Sequence, residues 1–263
     1  MKNDAFLKYN FWDNVNFLCV LYFYKGDTML KQVYSQYVIR FEKKDDLTDD
    51  INIFKEKLAD FFDKKAYTVV GLPDSVQVSP EIPRIIAVSS NGHASLEVNL
   101  MQICLNIKFD DQYWDDFDKC YRYMEKRIHS LNDIAMEISN NKIFFNGIVT
   151  QFVDEEIIEP TKYILKHIYH DHVSNKHVFD VLSKLTYVKD ELYYINATIN
   201  NARKDLDHEN LGVQLDINSR YFANYSKDKK YADRSIIQGT TELYYKVVKQ
   251  HLTEIEKGEL VIW

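Results

Sequence analysis

The chain has 263 residues, 46% hydrophobic and 28% charged, with 40 acidic against 33 basic side chains and a net charge of −7. That length supports one large domain or two small ones with a real core. The acidic balance excludes the broad phosphate attraction that clustered Lys and Arg give a nucleic-acid binder. Glycine is scarce: Gly26, Gly71, Gly92, Gly147, Gly212, Gly239 and Gly258 all stand isolated. Phosphate-cradling loops need glycines close together, so neither a Walker-type loop nor a dinucleotide fingerprint exists, and no cofactor is expected.

The N-terminal "MKNDAFLKYNFWDN" places polar and acidic residues where a signal peptide carries its apolar core. "FLCVLYFY" (Phe17 to Tyr24) suits a buried strand and falls short of the roughly 20 residues of a membrane span. Cys19, Cys104 and Cys120 form no CxxC pair, and an odd count suits a reducing compartment, so a cytoplasmic protein is expected. Gly26-Asp27 turns the chain, and Tyr34 to Glu42 ("YSQYVIRFE") alternates as a strand. Thr48 then caps a helix, with Asp49 and Asp50 in its first turn and Ile51, Phe54, Leu58, Phe61 and Phe62 on one face.

Three prolines make "GLPDSVQVSPEIPR" an extended loop. The stretch after it, "IAVSSNGHASLEVNL", crowds serines, a glycine and a histidine together as a catalytic loop would. It reads instead as a hairpin. Asn91-Gly92 is a type I′ turn signal between strands Arg84 to Ser90 and Ala94 to Asn99. A further strand, Gln102 to Phe109, leads into a long helix from Tyr113 to Ile138. Asp110 or Asp111 would cap it, Asp115, Asp116 and Asp118 fill its start, and Phe117, Cys120, Tyr121, Met124, Ile128 and Leu131 form its apolar face.

In the second half, Lys142 to Val153 is a strand and Pro160 opens a helix. "ELYYINATINNARK" and "LGVQLDINSRYF" are two more strands, and a helix from Asp233 to Glu256 carries Leu243, Val247, Val248, Leu252 and Ile255. The two halves run in the same order. "IAVSSN" (Ile86 to Asn91) sits over "INATIN" (Ile195 to Asn200), and "LEVN" (Leu96 to Asn99) over "LDIN" (Leu215 to Asn218), which indicates an internal repeat. The expected architecture is α+β in two similar halves, 1–139 and 140–263, forming one unit. Each half would be a mostly antiparallel sheet with long helices packed on one face.

The hairpin "PRIIAVSSNGHASLEVN", the strand "FFNGIVTQFV", the segment "GVQLDINSR" and the final long helix resemble a sporadically distributed bacterial family of uncharacterised proteins of about this length. The resemblance covers residues 83–263. It implies a scattered accessory protein associated with mobile elements or phage defence, with no established catalytic residues to carry over. The N-terminal "NFLCVLYFYKG" departs from the proline-containing opening of that family.

Four candidate sites follow. His167, His170, His172 and His177 fall in one short tract, with His167 and His170 on one helical face, and imidazoles so grouped bind zinc or another transition metal. The same tract also reads as a helix C-terminus, which favours histidine through the macrodipole. Lys227, Lys229, Lys230 and Arg234 form a solvated loop or a local basic rim for nucleic acid. The adjacent acids Asp115-Asp116 and Glu155-Glu156 point about 100° apart on a helix and suit helix starts better than acid–base work.

Tyr193 and Tyr244 come from the pairs Tyr193-Tyr194 and Tyr244-Tyr245, each of which puts one ring on either face. They are candidate interaction residues, as is Asp216, which should point away from the core opposite to Leu215 and Ile217. The chain is therefore expected to be a non-catalytic protein-interaction module that binds a protein partner or a second copy of itself, and no membrane. The alternatives are a nucleic-acid binder acting through the lysine loop and a metal-dependent enzyme built on the histidine tract.

Overall fold

The computed structural model describes residues 19–22, 30–47, 49–71, 78–114, 116–169, 177–203, 209–256 and 259–262. Along Lys31–Phe41 (β2), Gln32, Ser35, Tyr37, Ile39 and Phe41 are buried, Tyr34, Gln36 and Val38 half-buried, and Arg40 exposed. This is the alternation of a strand in a sheet with one covered face. β3 (Tyr67–Val69), β4 (Ile85–Val88), β5 (Ala94–Val98) and β6 (Gln102–Lys108) follow it in the first part of the chain. β7 (Ile143–Asp154), β8 (Leu182–Lys189), β9 (Tyr193–Arg203) and β10 (Glu209–Ser219) follow in the second. These nine form one antiparallel sheet in the order β3-β4-β5-β6-β2-β7-β10-β9-β8. β1 (Cys19–Tyr22) pairs separately with β11 (Glu259–Ile262).

The helices are α1 (Ile51–Lys57), α2 (Phe117–Ile138), α3 (Pro160–His167), α4 (Tyr221–Asp228) and α5 (Arg234–Glu256). The protein is thus α+β. α2 lies on β2 and β6, α5 on β7 and β10, and α3 on β9 and β10, all against the same sheet face. The core between these layers holds Tyr37, Ile39, Phe41, Leu96, Ile103, Leu105, Met124, Ile128, Leu131, Ile148, Ile217, Ile237 and Tyr244. α2 and α5 touch through Tyr121 and Tyr245, whose ring centroids are 4.5 Å apart, and Tyr245 and Lys249 both reach the Asp118 carboxylate.

Polar side chains also enter this interface, and most of their groups are bonded there, while Gln32 Oε1 and Thr241 Oγ1 find no partner among the described residues. Gln32 Nε2 donates to Ser35 Oγ at 3.0 Å, Ser35 Oγ lies 3.0 Å from Thr150 Oγ1, and Thr150 Oγ1 donates to the Tyr244 hydroxyl at 3.0 Å. Asn146 Nδ2 donates to the Ile237 carbonyl at 3.0 Å, Thr240 donates to Asn146 Oδ1, and Tyr37 donates to Asn132 Oδ1. Close approach of α5 to the sheet depends on Gly239: a Cβ there would overlap the Tyr193 hydroxyl, which donates to the Ile236 carbonyl.

Several details differ from the expectations. α2 begins at Phe117, because Asp116 supplies the cap by accepting from the Lys119 N–H at 2.8 Å. Thr48 and Asp115 lie outside the described residues. At the Asn91-Gly92 hairpin Gly92 has a φ of +74° while Asn91 is not left-handed, so the turn is not type I′. Ser89 closes it instead: its carbonyl accepts from Gly92 N–H, its N–H donates to the Ala94 carbonyl, and its hydroxyl donates to Asn91. β8 is an additional strand.

The Tyr244 hydroxyl sits at the closed end of a buried polar chain, so removing it leaves Thr150 and Ser35 short of a partner. Tyr244→Phe is expected to lower the unfolding free energy by about 1–3 kcal/mol. Tyr245→Phe, whose hydroxyl meets the partly exposed Asp118, should cost less than about 1 kcal/mol. Urea denaturation of both variants checks the ordering.

Candidate interaction surface

The helices cover one face of the sheet, and among the described residues none lies on the other. From β6 to β9 that second face carries Gln102, Cys104, Asn106, Lys108, Tyr34, Gln36, Val38, Arg40, Phe145, Val149, Gln151, Gln214, Asp216, Asn218, Tyr194, Asn196, Thr198 and Asn200. The assignment follows from the antiparallel registers and the burial alternation.

Amides and hydroxyls dominate, and they bond across strands. Tyr34 donates to Asn106 Oδ1 at 2.7 Å, and Gln36 donates to the same oxygen at 2.8 Å. Gln151 donates to Gln214, Thr186 to Asn196, and Arg40 to Gln102. These ladders hold the side chains flat on the sheet while leaving amide donors and acceptors facing outward. Gly147 and Gly212 lie on this face where Cβ atoms would crowd Asn218 and Ala202. Formal charges on it are few and scattered: Arg40, Lys108 and Asp216, with Glu97 on the neighbouring β5.

Asp216 points away from the core as expected, accepting from Asn196 at 3.1 Å and from Asn218 at 2.9 Å. The tyrosine candidates are corrected. Tyr193 is 8% exposed and Tyr244 is 0% exposed, so both are core residues. Burial raises both phenol pKa values. Their neighbours face outward: Tyr194 lies on the open face with the Arg220 guanidinium 4.8 Å from its ring, and Tyr245 is half-buried between α2 and α5.

Lys227, Lys229 and Lys230 are exposed at the end of α4 and the loop after it. The segment that follows is anchored through Tyr231 and Arg234. Tyr231 donates to Glu42 at 2.8 Å, Lys142 pairs with the same carboxylate at 2.6 Å, and Arg234 pairs with Asp133 at 2.8 Å. The Lys142 and Tyr231 hydrogen bonds hold the Glu42 carboxyl below its usual range. In the histidine tract, His167 ends α3 with its ring 4.4 Å from that of Tyr163, and His177 is exposed. His170 and His172 lie outside the described residues. Among the described residues no three His, Cys, Asp or Glu side chains converge as metal ligands. Burial pushes the Cys104 thiol up to about 11 and that of Cys120 to about 12, which keeps both protonated and weakly nucleophilic at neutral pH.

Two buried charged residues escaped the sequence reading. Arg127 is 8% exposed and packs its guanidinium 3.5 Å from the Tyr123 ring centroid and 4.7 Å from that of Phe61, with Nη1 donating to the Tyr123 carbonyl. The two π faces offset its desolvation. Asp154, at the end of β7, is 1% exposed and accepts from the Glu156 N–H at 2.9 Å. Spacing places both on the covered side, Arg127 in step with Cys120, Met124 and Leu131 and Asp154 in step with Phe152, but their charge argues for an exposed side chain. Comparison with protein-family models and with curated proteins finds no match to this chain.

Burial raises the Asp154 pKa, so its folded value exceeds the unfolded value of about 3.9. Ionisation then favours the unfolded chain, and stability is lost as pH rises from the unfolded value through the folded one. Asp154→Asn removes that loss. Its melting temperature is expected to gain on that of the parent chain as pH rises from about 3 to 7; a difference independent of pH would contradict this.

Proposed function

We propose that the protein is a non-catalytic interaction module that engages a protein partner through the uncovered face of its sheet. The observation that carries this reading is the composition of that face: cross-linked amides and hydroxyls with Tyr34, Tyr194, Phe145 and Val149 among them. Such a surface combines hydrogen-bonding edges with apolar and aromatic area at low charge, as the centre of a protein interface does. Nucleic acid requires clustered cations; the lysine loop offers only Lys227, Lys229 and Lys230, since Arg234 beside them is paired with Asp133. A role in bacterial defence is the setting the resemblance suggests.

The reading includes an internal repeat. Strand order supports it, since β4-β5-β6-β2 and β8-β9-β10-β7 run outward in the same sense from the central β2–β7 pair. Each set is followed by a long helix on the covered face, α2 and α5. On this reading β4, β5 and β6 answer to β8, β9 and β10. The sequence matches "IAVSSN"/"INATIN" and "LEVN"/"LDIN" are then one strand out of step. Glu97 on β5 and Asp216 on β10 are not counterparts.

The test is affinity capture from the native host with the full chain, alongside Val149→Arg/Gln214→Arg and Lys227→Glu/Lys229→Glu/Lys230→Glu variants, each with and without nuclease. One stoichiometric protein, lost with the arginine pair and kept with the glutamate triple and after nuclease, is the expected result. Association that vanishes with nuclease or with the glutamate triple would replace the reading with nucleic-acid binding.

A further inference from the structure

The two edges of the nine-stranded sheet are built differently. β3, at one edge, has three residues, too few to template another strand. β8, at the other, has eight residues and pairs with β9 on one side; among the described residues no strand takes its other side. A long edge strand exposes a row of unpaired backbone donors and acceptors, and folded chains ordinarily guard it with charge or distortion. β8 carries two exposed lysines, Lys184 and Lys189, but alongside them it also exposes Leu182, Leu185 and Val188 at 59%, 44% and 51%.

These three are evenly spaced about Leu185, so reversing the strand about that residue places Leu182 on Val188. The geometry points to a homodimer in which β8 pairs antiparallel with β8 of a second copy, centred on Leu185. This goes beyond the interaction-face reading and does not depend on what that face binds. An antiparallel edge-to-edge pair has its two-fold axis normal to the sheet. Every side chain therefore stays on its own face, and registers can change only in steps that keep a residue at the centre.

Centred on Leu185, Leu185 faces its own copy on the helix-covered side, where it neighbours Ala197 of β9. Leu182 faces Val188 on the open side, beside Asn200 and Tyr194. Lys184 falls opposite Thr186, and no lysine meets a lysine. The adjacent registers are worse. Centring on Lys184 sets that lysine against its own copy, and centring on Thr186 sets Leu182 against Asp190. The Tyr169 hydroxyl donates to the Leu182 carbonyl at 3.3 Å, so at that end of β8 the edge is partly met from within the chain. The dimer continues both open faces into one surface, with the helices of both copies on the opposite side.

Sedimentation velocity of the full chain from micromolar to hundreds of micromolar tests this. A monomer–dimer equilibrium is expected, weakened roughly tenfold or more by Leu185→Lys and by Val188→Lys. Both side chains are exposed, so the melting temperatures should hold. The register is read by oxidative cross-linking in a Cys19→Ser background. Leu185→Cys should give a disulfide-linked dimer, because directly opposed positions approach bonding distance, and Lys184→Cys should not. A chain that stays monomeric throughout, a dimer indifferent to both lysines, or cross-linking through Lys184→Cys in preference to Leu185→Cys would each overturn the proposal. None of these outcomes bears on capture of a partner by the open face.

Discussion

The antiparallel pairing of β2 with β7 is the constraint on which the rest of the molecule hangs. It runs from Lys31 opposite Val153 to Phe41 opposite Ile143 and joins the two parts of the chain into one sheet. The outer flank of β2 carries β6, and that of β7 carries β10, so every other strand of the sheet takes its position from this pair. An extra residue between Gln32 and Tyr34 shifts the register there. That bulge turns Gln32 onto the same face as Ser35, which plain alternation would forbid. The polar chain Gln32–Ser35–Thr150–Tyr244 exists because of it.

The two faces of the sheet use polar groups for different ends. On the covered face a few hydroxyls and amides are sealed under α2 and α5, and each bond is made in a low dielectric, where an unmade one is costly. On the open face many more amides are paired loosely in ladders that water or a partner can share. Ion pairs such as Lys249–Asp118, Arg234–Asp133 and Lys31–Glu155 sit at the rims. They are exposed and contribute little each. The charge of −7 therefore lies mostly outside the surface that the sheet presents.

Much of the fold was legible because hydrophobic alternation and cap residues act locally. β2, β5, β6, β7 and α5 fall within a few residues of where the pattern puts them, and Pro160 opens α3 as expected. β8 was not legible: an edge strand exposed on both sides has no reason to alternate, and "LSKLTYVK" does not. The inward face of β7 could not be told from its outward face, since Asn146 and Thr150 are buried while Phe145 and Val149 are not fully so. Tyr244 was legible in principle. It stands on the stripe Ile237, Thr240, Tyr244, Val247, Val248, recognisable once a buried threonine is admitted to an apolar face. Tyr193 and Tyr194 differ only by which face of β9 is covered, and that is decided by α3 and α5, not by neighbouring residues.

The polar chain beneath the sheet joins Gln32 of β2 to Tyr244 of α5, elements far apart in sequence. During synthesis β2 leaves the ribosome long before α5 does. Until α5 follows, Ser35 and Thr150 have no lid, and Asn146 lacks the Ile237 carbonyl and the Thr240 hydroxyl. Water must serve those groups in the meantime. The part of the core beneath α2 is largely apolar and needs no such cover, whereas the part around Thr150 and Asn146 is completed only by α5.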